Sequence, residues 1–143
     1  TELFPCRTYV FLAAGHPLAE RPLITLEDLA PYPCLSFDQG QSFYLAEEVY
    51  STYHYRQVIK ASDRATLLNL MVGLDGYTLC SGILCEELNG DGYRAVPLDS
   101  DKIMHIGYVK RQGCVLSPLA KIYLEELDRC NVNVLDHPAG PTR

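Results

Sequence analysis

From Tyr9 to Phe37 the chain reads Tyr9-Val-Phe-Leu-Ala-Ala-Gly-His-Pro-Leu-Ala19, then Glu20-Arg-Pro-Leu-Ile-Thr-Leu-Glu-Asp-Leu-Ala30, then Pro31-Tyr-Pro-Cys-Leu-Ser-Phe37. The unbroken apolar run Tyr9–Ala14 predicts a strand buried on both faces, stopped by Gly15-His16-Pro17. Thr25, with Asp28 three residues on, predicts a short capped helix, because hydroxyl and carboxylate can each satisfy the other residue's backbone amide. Pro31 and Pro33 close that helix, and Cys34–Phe37 reads as the next strand. Strand, helix, strand in this order is α/β patterning and argues for a parallel or mixed sheet covered by helices.

Outward from this stretch the alternation continues. After the turn Asp38–Gln41, Ser42 can cap a helix in which Phe43, Ala46, Tyr50 and Tyr53 recur at helical spacing, and Gln57–Ala61 reads as a strand. Ser62 or Asp63 caps the following helix. There Leu67, Leu70, Met71 and Leu74 fit one buried stripe, and Gly76 is expected to end it as the residue just past the cap. Tyr77–Cys80 is a strand, Ser81-Gly82 a turn, and Asn89-Gly-Asp-Gly92 a turn before a strand at Tyr93–Leu98. Ile103–Val109 is the last and longest strand candidate. Ser117-Pro118 starts the final helix, whose apolar face is Leu116, Leu119, Ala120, Tyr123, Leu124 and Leu127. The tail from Asn131, with Pro138, Gly140 and Pro141, is expected to fray.

The composition of the 143 residues, 48% hydrophobic and 21% charged without tryptophan, is that of a globular domain with enough chain for a core that needs no staples. The longest apolar runs, Tyr9–Ala14 and Leu67–Leu74, fall short of the ~20 residues that cross a bilayer, and no basic-then-apolar leader opens the chain. Twelve Lys and Arg against eighteen Asp and Glu give a net charge of −6. The basic residues are scattered, which argues against a phosphate-tracking surface. Cys6, Cys34, Cys80, Cys85, Cys114 and Cys130 form no C-x-x-C pair and have no histidine at finger spacing. They read as free, mostly buried thiols and not as zinc ligands or a disulfide framework.

No nucleophile–base pair, metalloprotease motif or phosphate loop is present, so no catalytic residue, metal or cofactor is expected. His16, His54, His105 and His137 read as structural or solvent-exposed. Glu47-Glu48, Glu86-Glu87 and Glu125-Glu126 are sequence neighbours that diverge on a helix. Ligands of α/β sheets lie beyond the carboxyl ends of strands, where helix N-termini present amide donors. Two turns occupy such positions, Ser36–Phe43 and Ala61–Thr66. In the first, Ser36, Asp38, Gln41 and Ser42 offer hydrogen bonds to a small polar ligand, and Phe37, Phe43 and Tyr44 are either its walls or core residues. In the second, Ser62 serves as cap alone or as cap and ligand contact. The stretch Gly73–Ile83 runs helix then strand without G-x-G-x-x-G, which excludes a nucleotide loop.

These residues resemble a known family. Tyr9–Ala14 with Gly15-His-Pro-Leu-Ala19, Pro22-Leu-Ile-Thr-Leu-Glu-Asp-Leu-Ala30 and Pro33–Phe37 are similar to the opening of the effector-binding domain of LysR-type transcriptional regulators. Ala61-Ser-Asp63 with Leu67–Val72 and Gly76-Tyr77, and Leu116-Ser-Pro-Leu-Ala120, resemble later segments, so that the likeness runs from Thr8 to Asp128. It implies a type II periplasmic-binding-protein-like fold of two lobes with a small-molecule effector between them. By that comparison residues 1–17 are a first-lobe strand and crossover, 18–101 the second lobe, 102–130 the return strand and helix of the first lobe, and 131–143 a tail. The implied effector contacts are Ser36, Asp38, Gln41, Ser42, Phe43, Ser62, Asp63, Arg64, Ser81 and Gly82. The implied protein is cytoplasmic and non-enzymatic, touches DNA only through an N-terminal helix-turn-helix outside this chain, and has no membrane partner. Strands Tyr9–Ala14 and Ile103–Val109 are then expected to lack sheet neighbours, and the last helix part of its cover, which predicts self-association into a homo-oligomer. The alternative is a transport-type solute-binding protein of the same architecture, since fold alone does not fix function.

Overall fold

The computed structural model describes residues 1–38, 55–84 and 89–136. Strand β1 (Glu2–Arg7) pairs antiparallel with β7 (Ile103–Gly107) in a two-stranded sheet. The remaining strands are β2 (Tyr9–Ala13), β3 (Cys34–Phe37), β4 (Val58–Ala61), β5 (Tyr77–Cys80) and β6 (Tyr93–Pro97). They form a five-stranded sheet in the order β4-β3-β5-β2-β6. In it β3 runs parallel to both β4 and β5, while β2 is antiparallel to β5 and β6. The sheet is therefore mixed, as the alternating pattern requires.

Two outcomes differ from expectation. Tyr9–Ala13, expected to be a first-lobe strand short of neighbours, is instead flanked on both sides within the larger sheet. Its apolar run is explained by that place: Val10 and Leu12 enter one core, Phe11 the other, and no face is left for water. The strand in the smaller sheet is β1, which the sequence reading passed over. Pro5 lies inside it, and a proline has no amide for a ladder, so a run containing one is confined to an edge or a narrow sheet. The final strand also stops at Gly107, short of the expected Val109.

One face of the larger sheet carries Val10, Leu12, Cys34, Tyr77, Leu79 and Val96, packed with Leu18, Ile24 and Leu29 from the segment around α1 (Leu26–Leu29). The other carries Phe11, Leu35 and Ala61 under Leu67 and Met71 of α2 (Arg64–Gly73). The capping box of α1 forms as expected, with Asp28 N–H donating to Thr25 Oγ1 at 3.2 Å and Thr25 N–H donating to Asp28 Oδ2 at 3.0 Å. In α2 the stripe is narrower than its spacing predicts. Leu67 and Met71 are buried and Leu70 is half-buried, but Leu74 is exposed because it is already the C-cap. Asp75, at φ 49°, takes the left-handed position past the cap that the sequence assigned to Gly76. The Gly76 amide then donates to Met71 O at 3.1 Å, the long closing bond of a Schellman ending. Gly76 is needed for a different reason, since a Cβ there would lie 2.8 Å from Leu35 Cδ1.

Helix α3 (Pro118–Asp136) begins as read, with Ala120 N–H donating to Ser117 Oγ at 3.1 Å. It continues through Asp136 where fraying was expected from Asn131, because no glycine or proline interrupts the chain before Pro138. The helix expected after Ser42 lies outside the described residues. Of the described cysteines, Cys34 is buried, Cys6 and Cys80 are partly buried, and Cys114 is exposed, which corrects the expectation of burial for that residue. Burial pushes the Cys6 thiol up and the Cys80 thiol to about 11, so both stay protonated at neutral pH.

Candidate ligand site at the carboxyl edge of the mixed sheet

Because β3, β4 and β5 are parallel, their carboxyl ends share one edge of the sheet. Phe37 pairs with Ala61, and the Asp38 amide donates to Ala61 O at 3.0 Å, which carries the first turn onto the start of the second. Ser81 and Gly82 leave β5 at the same edge. There Tyr9, at the start of antiparallel β2, pairs with Cys80. Asp38, Ser62, Asp63, Arg64, Ser81 and Gly82 are thus brought to one rim, while Gln41, Ser42 and Phe43 lie outside the described residues.

Within that rim the roles separate. Ser36 is buried inside β3 and its hydroxyl donates to Phe37 O at 3.3 Å, so it stands behind the rim. The sequence left the α2 cap open between Ser62 and Asp63. Asp63 holds it, with Oδ1 accepting the Thr66 amide at 2.9 Å and an extended backbone at φ −140°. That amide, with help from Ala65, holds the Asp63 carboxyl below its ordinary range. Ser62 is released from capping and is exposed. The helix end consequently already carries one negative charge, which works against a second anion resting directly on it. Arg64, next in sequence, supplies the opposite charge at the same end, and its guanidinium donates to the Asn89 side-chain oxygen.

Gly82 fixes the third turn. It is buried at φ +80°, its amide donates to Cys80 Sγ at 3.3 Å, and a Cβ at this position would lie 2.6 Å from the Tyr9 ring. Only glycine lets the chain cross that ring. Tyr9 and Asn89 are rim residues that the sequence reading did not select. Asn89 was legible only as a turn former and Tyr9 only as part of a buried run, because strand register brings Tyr9 to the rim and a contact with Arg64, 25 residues away in sequence, brings Asn89. Among the described residues no group of histidines, cysteines and carboxylates is placed to hold a metal ion. No helix among them is long and apolar enough to cross a membrane.

A mixed five-stranded sheet with turns converging at its carboxyl edge, joined through Thr8 and through residues 98–102 to a second small sheet, defines a periplasmic-binding-protein-like ligand domain of type II. The family model of the LysR substrate binding domain matches residues 1–130, and the chain belongs to that family. A search of curated proteins finds no match. Among solved structures, HinK, a LysR family transcriptional regulator from Pseudomonas aeruginosa, is similar at 16% identity and TM-score 0.64, over 91% of this chain and 46% of its own. The effector binding domain of QuiR in complex with shikimate matches at 15% identity and TM-score 0.59, over 89% and 61% of the two chains. The BenM effector binding domain with its effector benzoate matches at 15% identity and TM-score 0.58, over 99% and 65%. The chain therefore spans about half the length of the regulator HinK.

Proposed function

We propose that this chain is the effector-sensing part of a LysR-type transcriptional regulator, holding a small polar co-inducer at the shared carboxyl edge of β3, β4 and β5. The convergence of the three turns there, in a chain of this family, is the observation that supports it. Asp38, Ser62, Asp63, Arg64, Ser81 and Gly82 border the ligand, with Ser36 supporting the rim from behind; Gln41, Ser42 and Phe43, outside the described residues, complete the proposed set of contacts. The ligand shifts the population of lobe or subunit arrangements and undergoes no reaction, so the protein is not an enzyme. Residues 18–101 form most of the second lobe, and 102–130 return to the first. The full regulator acts in the cytoplasm as a homo-oligomer, and its DNA contact belongs to a helix-turn-helix outside these residues.

Benzoate and shikimate, the ligands of the BenM and QuiR domains, are the first probes for a thermal-shift screen of small hydroxy and carboxylic acids. At least one compound should raise the melting temperature of the chain in a saturable way, and Arg64→Ala or Ser81→Ala should weaken its apparent affinity by tenfold or more. A screen without any saturable shift, or a shift untouched by both substitutions, would contradict the assignment.

A further inference from the structure

His16 is buried, at 4% exposure, in the turn that follows β2. The Leu18 amide donates to its Nδ1 at 3.0 Å, and its Nε2 lies 3.0 Å from the backbone oxygen of Asp75. An amide only donates and a carbonyl only accepts, so Nδ1 is bare and Nε2 carries the hydrogen. The neutral ring in this one tautomer joins two segments 59 residues apart in sequence. Asp75 is the left-handed residue that ends α2, and the ring of Tyr32 packs on the imidazole with centroids 4.4 Å apart.

We propose that His16 is an acid-sensitive latch: protonation at Nδ1 removes the Leu18 hydrogen bond and loosens the turn at residues 14–19, while the Nε2 hydrogen bond to the Asp75 carbonyl is kept. A proton on Nδ1 turns the acceptor into a donor facing the donor amide of Leu18, and leaves that buried amide without a partner. Among the described residues, the titratable groups facing the ring are Asp75, from the α2–β5 turn, and Tyr32, from the connection between α1 and β3. Burial pushes the imidazole below its ordinary value of 6.5, and the Asp75 carbonyl and charge only partly oppose it. The sign follows by linkage. More than about one pH unit above 6.5 the ring is neutral whether the chain is folded or not, and the latch adds no pH dependence there. As the pH falls through 6.5 the unfolded chain takes up the proton first, so stability falls until the folded ring protonates as well. One proton sets the limit at about a tenfold rise in the unfolding equilibrium constant per pH unit. The latch sits at the end of α2 opposite Asp63, and its action does not depend on the identity of any ligand.

Urea unfolding of the 143-residue chain between pH 7.5 and 5 tests this directly. The wild-type midpoint should fall below pH 6.5. His16→Asn, whose side-chain oxygen still accepts from the Leu18 amide but does not titrate, should lose that fall. Imidazole nitrogen NMR on the wild-type protein keeps the test independent of the variant's folding. It should show a bare Nδ1 at pH 7.5, a His16 titration midpoint under 6.5, and loss of Leu18 amide protection with the same midpoint. A slope that persists in a folded His16→Asn, a hydrogen on Nδ1 at pH 7.5, or titration at or above the ordinary value would each overturn the latch.

Discussion

Thr8 stands between β1 and β2, where the chain passes from one sheet to the other. It is 2% exposed, its carbonyl accepts the Leu98 amide at 3.1 Å, and its buried hydroxyl has no hydrogen-bond partner among the described residues. A buried orphan of this kind costs on the order of 1–3 kcal/mol in lost hydration. Thr8→Val keeps the branched shape and removes the hydroxyl, so it should raise stability by about 1 kcal/mol, read as a higher denaturant midpoint at unchanged slope. A lower midpoint would mean that the hydroxyl has a partner after all. Nothing around Thr8 in sequence announces this environment, whereas the Thr25–Asp28 box was legible because both partners lie within four residues. Residues whose role depends on register, such as Tyr9 beneath Gly82, are invisible to local pattern for the same reason.

At the scale of elements, local chemistry located the described helices and six of the seven strands, and failed where a pattern was ambiguous. β1 was hidden by Pro5, and the run Tyr9–Ala14 gave the burial of β2 but not the sheet it joins. The α2 stripe tests how far spacing can be trusted. Leu67, Leu70, Met71 and Leu74 have equal claims by periodicity, yet Met71 is wholly buried under the sheet and Leu74 is 46% exposed past the helix end. Met71→Ala should therefore cost about 2–5 kcal/mol, while Leu74→Ala should stay within about 1 kcal/mol. Equal losses in equilibrium unfolding would return Leu74 to the core. The candidate site was legible to a similar degree: strand–turn–helix order located two of its turns, but which of Ser62 and Asp63 caps α2 required the Thr66 amide to be seen on Asp63.

For the whole molecule, the telling feature is where apolar surface remains. Leu119 is 75% exposed, Ile122 56% and Tyr123 63%, on the face of α3 turned away from β1, with Val109 and Val115 exposed in the preceding segment. Among the described residues the smaller sheet holds β1 and β7, and each of these strands keeps one edge without a strand partner. The five-stranded sheet, by contrast, has both faces covered and its central strands paired, and it does not contribute to this deficit. The self-association expected through Tyr9–Ala14, Ile103–Val109 and the last helix is therefore predicted through β1, β7 and α3 instead. Contiguous apolar surface of this kind drives association in water, and unpaired edges offer a template for it. Sedimentation velocity of the chain should show a weight-average coefficient that rises with concentration over the micromolar range. Leu119→Lys with Ile122→Lys should suppress the rise while leaving the unfolding midpoint within about 1 kcal/mol of wild type, because both side chains already face solvent. A coefficient independent of concentration in the wild-type chain would show that the monomer tolerates this surface and would overturn the prediction.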